Sequence, residues 1–142
     1  MAAWVEEARD TGAHITTGGA RISDRVYAPA VIVEPPATAR VSRGEVIGPA
    51  TCIYAYANLD EAVARANSLP FAFQASVFAR DIDVALRAAR SLDASAILAN
   101  DHTAFRTDWM PFAGRQQSGY SVGGIPCTMH DMTHEKMIVF RH

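Results

Sequence analysis

The stretch ATCIYAYANLDEAVARANSLPFAFQASVFARDIDVALRAARSLDASAILA, residues 50–99, decides the fold class. Apolar runs at residues 50–57, 74–79 and 95–99 have the composition of buried strands. Between these runs, Asn58 and Asp81 can cap two helices whose apolar residues fall on one face. Strands and helices that alternate at this spacing predict parallel pairing with right-handed crossovers. The predicted fold class is therefore α/β, with a mostly parallel sheet.

The flanking segments carry weaker signals. A short helix at residues 4–9 and strands at residues 14–16 and 30–33 are predicted on the N-terminal side. Residues 100–132 have no clear periodicity and are rich in Gly, Pro, His and aromatic residues, which is typical of a functional or interface loop. Residues 134–140 (HEKMIVF) predict a final strand. With 142 residues and no repeat or linker, the chain is predicted to form a single domain over residues 1–142.

Composition excludes several classes of protein. The chain has 13 Lys+Arg against 15 Asp+Glu, so no basic excess is present to neutralise nucleic-acid phosphates. No apolar run reaches the length of a membrane span, and the N-terminus MAAWVEEARD is acidic where a secretory signal would be basic. Two cysteines do not make a disulfide framework in a chain of this size. We therefore expect a cytoplasmic protein with no membrane or nucleic-acid partner.

Arg106 is the most informative cation in the chain. It lies in NDHTAFRTDWMPF, residues 100–112, where aromatic residues flank it in an irregular loop. An arginine in this setting can clamp a carboxylate, a phosphate or a phosphonate. It can equally pair with Asp101 or Asp108, and the residues alone leave both interpretations open.

Two further groupings suggest chemistry less strongly. His130 and His134 are four residues apart, as in zinc-binding helices, but no third ligand has convincing spacing and the helix would run into the predicted final strand. Cys127 lies three residues before His130, which suggests a thiolate–imidazole pair, although small buried thiols are commoner than catalytic ones. Cys52 is predicted to lie in the core. No metal ligand and no catalytic residue is assigned.

The order of short motifs along the chain resembles the C-terminal portion of NAD(P)-dependent aldehyde dehydrogenases, over nearly the whole sequence. The motifs are GG (18–19), YAPAVI (27–32), GEVIGPA (44–50), DEAVARAN (60–67), SVFARD (76–81), PFAGRQQSG (111–119) and EK (135–136). The resemblance implies a partial three-layer α/β/α catalytic domain at residues 1–132 and an oligomerisation strand at residues 133–142. The Arg106 loop is most similar to phosphonoacetaldehyde, lactaldehyde and non-phosphorylating glyceraldehyde-3-phosphate dehydrogenases. This implies a small anionic aldehyde, with Arg106 binding the anion.

The resemblance also assigns residues to the cofactor and the substrate. Glu45 matches the acid that accepts hydrogen bonds from the nicotinamide-side ribose of NAD or NADP. Ile47 replaces the phenylalanine that packs beside the nicotinamide. Phe112 matches the aromatic residue that lines the aldehyde tunnel, in the loop that opens with Asn100.

The catalytic centre of these enzymes lies upstream of the region matched. The nucleophilic cysteine, the general-base glutamate, the oxyanion-stabilising asparagine and the nucleotide-binding fold are all there, and neither Cys52 nor Cys127 falls at the nucleophile's position. We therefore expect the isolated chain to be inactive and not to bind NAD(P) measurably. It would be a truncated reading frame, a proteolytic fragment or half of a split enzyme that meets its missing N-terminal half or a full-length relative. The alternatives are a non-catalytic interaction module and, ranked far below, a small hydrolase using Cys127 and His130.

Two motif changes and the chain's end complete the expectations. The family's Tyr-Gly-Leu reads FAF at residues 71–73, and its Pro-Phe-Gly-Gly reads PFAG at residues 111–114. Alanine in place of glycine is harmless at negative φ and costly at positive φ. Several such changes together suggest relaxed constraint, as in a gene remnant or a pseudoenzyme. The apolar end at residues 137–140 and the open sheet edges predict a homodimer or higher oligomer.

Overall fold

The computed structural model describes all residues, 1–142. The chain forms five helices and nine short strands. The chain divides into two compact units, Met1–Ala57 and Asn58–His142, and each is described by itself. The single domain expected over residues 1–142 stays a prediction. None of the helices has the length and apolar character that a membrane span requires.

The first unit packs helices against a three-stranded sheet. Its elements are α1 (Ala2–Asp10), β1 (His14–Thr17), β2 (Ala30–Val33), α2 (Arg40–Arg43) and β3 (Ala50–Ile53). The strand order is β1-β2-β3, with β1 antiparallel and β3 parallel to β2. Val5 of α1 and Ile32 of β2 are fully buried and centre the apolar core.

The second unit contains the predicted strand–helix–strand repeat. Its elements are α3 (Leu59–Ala66), β4 (Phe71–Ala72), β5 (Gln74–Val77), α4 (Ile82–Ser91), β6 (Ala96–Ala99), β7 (Phe112–Ala113), β8 (Arg115–Gln116), β9 (Val122–Gly123) and α5 (Ile125–Asp131). β5 and β6 pair in parallel across α4, while β4–β8 and β7–β9 are antiparallel pairs. Asn58 caps α3 by accepting from the Glu61 N–H at 3.0 Å, and Asp81 caps α4 by accepting from the Asp83 N–H at 2.8 Å. The α/β class and both predicted caps are thus confirmed.

The sheet is divided differently from the prediction. Residues 50–57, 74–79 and 95–99 were expected to share one parallel sheet, but β3 pairs with β2 and belongs to a different sheet from β5 and β6. β3 also ends at Ile53, four residues before the predicted end. Its partner β2 stops at Val33, and the Pro35-Pro36 pair that follows cannot continue a hydrogen-bonded ladder.

One prediction for the C-terminal third is wrong for the single chain. Residues 132–142 form no helix or strand, so the strand expected at residues 134–140 is absent. A strand needs a hydrogen-bonded neighbour, and this exposed segment has none within the chain. Residues 100–132 are mostly loop, as expected, but they also contain β7, β8, β9 and α5. α5 has no side-chain cap, and its one sequence signal is Pro126 in the first turn.

Candidate functional site

A stack of three side chains forms the centre of the candidate substrate site. The guanidinium carbon of Arg106 lies 4.4 Å from the centroid of the Phe112 ring. That ring meets Phe73 edge to face, with centroids 5.1 Å apart and an interplanar angle of 88°. Phe112 begins β7, and Phe73 lies between β4 and β5. A cation over an aromatic face is attracted by the ring quadrupole, so Phe112 holds the guanidinium in place without neutralising its charge.

Arg106 has no carboxylate partner. No acidic oxygen lies within 4.0 Å of its guanidinium, so the pairing with Asp101 or Asp108 that the sequence left open does not form. The Asp101 carboxylate instead accepts from the His102 N–H at 2.7 Å. An exposed guanidinium without a counter-ion can bind an oxyanion through two parallel hydrogen bonds.

An open pocket of about 420 Å³ lies beside Arg106. One wall is the face of α5 that carries Ile125, Thr128 and Met129. The Ile125 N–H donates to the Asp108 carbonyl at 3.3 Å, which joins the Arg106 loop to the start of α5. The pocket is lined by Arg106, Asp108, Gly124, Ile125, Thr128, Met129 and Met132. It is therefore a mostly apolar pocket that offers one cation, one carboxylate and one hydroxyl.

Polar contacts from the α4–β6 connection hold the segment that carries Phe112. The Asp93 carboxylate binds Arg115 Nη1 at 2.6 Å and also accepts from the Gln116 side-chain amide. The Ser95 hydroxyl lies between the carbonyl oxygens of Phe73 and Ala113, within hydrogen-bond reach of both. The Arg106–Phe112 stack thus rests on a fixed backbone.

Asn100 lies at a different place from this pocket. Its side chain accepts from the Ala79 N–H at 2.9 Å and donates to the Ala79 carbonyl at 3.0 Å. It has φ +57° and joins the carboxyl ends of β5 and β6. Asn100 lines a separate open pocket of about 490 Å³ with Phe78, Ala79 and Arg80. The structure gives Asn100 a structural role, and its contact with substrate stays a prediction.

Glu45 and Ile47 lie in the first unit, on the loop between α2 and β3. Glu45 is exposed and its carboxylate makes no hydrogen bond or ion pair, while Ile47 is 79 % exposed. The N-terminal helix supports the loop, since a Cβ on Gly44 would lie 3.1 Å from the Trp4 ring. The sequence has no glycine-rich phosphate loop, and the contacts of Glu45 and Ile47 with a cofactor stay predictions.

The geometry does not support the histidine metal site, and it places Cys127 and His130 at one pocket. α5 ends at Asp131, so His130 and His134 do not share a helix, and no group of three or more potential metal-binding side chains occurs. Cys127 and His130 line a third open pocket of about 510 Å³. Cys52 is half-buried beside the core of the first unit, and this burial raises the pKa of its thiol. A raised pKa lowers the fraction of reactive thiolate.

The two glycine-to-alanine changes cost the backbone nothing. The non-glycine residues with positive φ are Glu34, Asn100 and Gln116, so Ala72 and Ala113 both lie in the region open to any residue. Gly114 is different, because a Cβ there would lie 2.0 Å from the Ser118 carbonyl oxygen. Ala72 and Ala113 therefore lie where alanine fits the backbone, and Gly114 lies where it does not.

The sequence profile of the Aldehyde dehydrogenase family matches residues 1–138. The chain belongs to the aldehyde dehydrogenase family. It is 35 % identical over 136 residues to the 3-sulfolactaldehyde dehydrogenase of Priestia aryabhattai, covering 96 % of this chain and 28 % of that protein. It is 31 % identical over 138 residues to the lactaldehyde dehydrogenase of Methanococcus maripaludis strain C7, covering 97 % of this chain and 29 % of that protein.

Solved structures agree with this assignment. Aldehyde dehydrogenase 21 from Physcomitrella patens, in complex with its reaction product succinate, superposes with a TM-score of 0.92 at 31 % identity. That match covers 99 % of this chain and 29 % of that one. Glyceraldehyde-3-phosphate dehydrogenase GapN from Methanocaldococcus jannaschii, complexed with NADP, gives 0.84 at 28 % identity and covers 92 % of this chain and 28 % of that one. The aldehyde dehydrogenase chain described here spans less than a third of the length of these relatives.

Sequence reasoning missed part of the site. Phe73, Asp108 and Thr128 belong to the stack or its pocket, and none was assigned to substrate. Phe73 lay in the altered motif FAF, and Asp108 was considered only as a partner for Arg106. Thr128 carried no signal, because α5 was not predicted.

Proposed function

We propose that this chain is the C-terminal part of the catalytic domain of an NAD(P)-dependent aldehyde dehydrogenase whose substrate is a small anionic aldehyde. The reaction would convert the aldehyde and water to the carboxylic acid, and the bound cofactor would accept the hydride. Arg106 would bind the anionic group of the substrate. The observation that carries this proposal is the Arg106 guanidinium, which is seated on Phe112 beside a pocket and has no counter-ion.

The roles of the other residues rest on the family resemblance. Phe112 would line the tunnel through which the aldehyde enters. Asn100 would hold the start of the loop that carries Arg106 and Phe112. Glu45 would accept hydrogen bonds from ribose hydroxyls, and Ile47 would pack beside the nicotinamide. The names of the relatives fit an anionic substrate, since one acts on 3-sulfolactaldehyde and another was solved with succinate. We expect the isolated, cytoplasmic chain to show neither turnover nor NAD(P) binding by calorimetry.

The experiment uses a chimera of the Priestia aryabhattai enzyme in which this chain replaces the matching part. The substrates are 3-sulfolactaldehyde and the neutral lactaldehyde, with NADH or NADPH formation as the readout. Arg106→Ala should raise KM for the anionic aldehyde at least tenfold more than for the neutral one, because only the anion uses the guanidinium. Arg87→Ala is the control, since Arg87 pairs with Asp60 on the surface. Equal effects of Arg106→Ala on both substrates would show that Arg106 is structural.

The same chimera tests the cofactor residue. Glu45→Gln should weaken NAD(P) binding about tenfold, the value for losing a charge-assisted hydrogen bond. If the chimera does not fold, NAD binding is measured on the isolated chain. There, tight NAD binding would contradict the assignment of a half-site.

A second candidate function is a non-catalytic module that oligomerises or binds a full-length relative. The exposed apolar end favours it: Met137, Ile138, Val139 and Phe140 are between 66 % and 87 % exposed. The intact chain should then form a homodimer or higher oligomer, and deletion of residues 134–142 should give monomer or precipitate. A monodisperse, folded monomer of the intact chain in light scattering would exclude self-association. A larger chain that co-purifies with the native protein, identified by mass spectrometry, would favour the split enzyme.

A further inference from the structure

The Ser95 side chain joins the two backbone segments that carry the rings of the Arg106–Phe112–Phe73 stack. Its hydroxyl oxygen lies 2.5 Å from the Phe73 carbonyl oxygen and also contacts the carbonyl oxygen of Ala113, the residue after Phe112. A hydroxyl has one hydrogen, so it donates to only one of these carbonyls at a time. The Phe73 carbonyl already accepts from the Ser95 N–H at 2.8 Å. The hydroxyl hydrogen is therefore free to bond the Ala113 carbonyl.

Two residues of the α4–β6 connection hold the segment that carries Phe112, at different distances from its ring. The Asp93 carboxylate binds Arg115 Nη1 at 2.6 Å and accepts from the Gln116 side chain, so it fixes β8. Ser95 bonds the segment at the residue next to Phe112. Of the two contacts, that of Ser95 is the one placed to fix the ring.

The position of the Phe112 ring in turn sets where the guanidinium lies. Phe73 meets this ring edge to face with centroids 5.1 Å apart, and the guanidinium carbon of Arg106 lies 4.4 Å from its centroid. Both contacts depend on direction, so they weaken when the ring turns or moves. A shift of the Ala113 backbone moves the ring that precedes it. The Ser95 hydroxyl therefore acts on the guanidinium through the ring.

We propose that Ser95 is a positioning residue of the candidate substrate site: its hydroxyl fixes the Phe112 ring, and that ring holds the Arg106 guanidinium in place for an anion. A side chain that is already held loses less conformational entropy when it binds a ligand. The role in anion binding rests on the proposed function, whereas the link from Ser95 to Arg106 can be measured without a substrate. The inference deepens that function by naming a residue that acts on the anion site from outside the pocket lining.

The first measurement follows the side-chain NMR signals of Arg106 in the intact chain. Protons above an aromatic ring are shielded by its ring current, so these signals should lie upfield of their positions in a Phe112→Leu variant. Ser95→Ala should move them toward those positions. Ser68→Ala is the matched control, because the Ser68 hydroxyl also donates to a backbone carbonyl, that of Arg65 at 2.7 Å, but lies outside the stack. It should leave the Arg106 signals unchanged.

The second measurement uses the chimera with 3-sulfolactaldehyde and the neutral lactaldehyde. Ser95→Ala should raise KM for the anionic aldehyde about two- to fivefold more than for the neutral one, which corresponds to the loss of an exposed cation–π contact. In the Phe112→Leu background the same substitution should leave the ratio of the two KM values unchanged, because the ring through which Ser95 acts is gone. Ser68→Ala should leave that ratio unchanged in both backgrounds.

The outcomes separate this inference from the function on which it rests. Arg106 signals that Ser95→Ala does not move, or moves no more than Ser68→Ala does, would overturn the inference. So would equal effects of Ser95→Ala on both aldehydes where Arg106→Ala distinguishes them, or an effect that persists in Phe112→Leu. If Arg106→Ala itself affects both aldehydes equally, the proposed function fails, and the NMR signals still decide whether Ser95 positions the guanidinium. Ser95→Cys, whose thiol is a weak donor, replaces Ser95→Ala if that variant does not fold.

Discussion

Gly114 offers a test of how the turn after Phe112 is built. A Cβ at this position would lie 2.0 Å from the carbonyl oxygen of Ser118 and 2.6 Å from the nitrogen of Gly119. Both are backbone atoms, so no side-chain rotation can relieve the overlap. Gly114→Ala must therefore open the turn that follows Phe112. Ala113→Gly is the matched control, because Ala113 has negative φ and its change to glycine creates no clash.

The expected magnitude follows from what the turn holds. Overpacking that forces a backbone shift costs about 1–3 kcal/mol. The shift also strains the hydrogen bond from the Ala72 N–H to Ser118 Oγ, which is 3.1 Å long and contributes about 1 kcal/mol. We therefore expect Gly114→Ala to lower the free energy of unfolding by about 2–3 kcal/mol. Ala113→Gly should lower it by about 0.5–1 kcal/mol, through added chain entropy alone.

Urea unfolding followed by circular dichroism gives both values. The titration compares the two variants with the parent chain at one pH and ionic strength, and an unchanged m value shows that the denatured state is the same. A Gly114→Ala chain within about 0.5 kcal/mol of the parent would refute the steric argument. So would a larger loss for Ala113→Gly than for Gly114→Ala.

Three further results are expected. Asn58→Ala should lower the free energy of unfolding by about 1 kcal/mol in urea titration, since the Glu61 N–H loses its acceptor, and an unchanged value would contradict the cap. In a Cys127→Ser variant, Cys52 should react with a disulfide reagent more slowly than free cysteine, because burial raises its pKa; an equal rate would contradict that burial. The backbone N–H and then the side chain of Arg40 lower the pKa of Glu7 from 4.5, so its stabilisation is present above pH 4.5 and lost as the pH falls through the lowered pKa. Glu7→Gln should reduce the loss of unfolding free energy that occurs as the pH falls below 4.5, measured by urea titration at several pH values. An unchanged pH dependence would show that Glu7 does not contribute.

The local parts of the fold could be predicted from the sequence because their signals are local. The bounds of β2 are those predicted, and the side chains of Asn58 and Asp81 cap their helices as expected. Each signal needs only residues within one turn of its own position. β5, α4 and β6 follow for the same reason, since one crossover determines their parallel pairing.

The remaining structure depends on residues far apart in the sequence. β4 pairs with β8 more than forty residues later, as Phe71 opposite Gln116, and two-residue strands leave no periodic pattern. The helix α5 begins after Gly124, which has a φ of +110°. No side chain caps its first turn, so the sequence carries no capping signal for its start. The stack of Arg106, Phe112 and Phe73 shows both cases. Arg106 and Phe112 stand in one loop, whereas Phe73 reaches them only through the fold.

The apolar residues at the C-terminus alternate in a way that constrains what can cover them. Successive side chains of a strand point to opposite faces, so Met137 and Val139 would share one face and Ile138 and Phe140 the other. All four are apolar, and in the single chain all four are more than 60 % exposed. An edge strand with one solvated face would keep two of them in water, whereas a strand inside a covered sheet buries both faces. If residues 137–140 pair with another chain as a strand, burying all four side chains therefore requires a sheet that is covered on both faces at that strand.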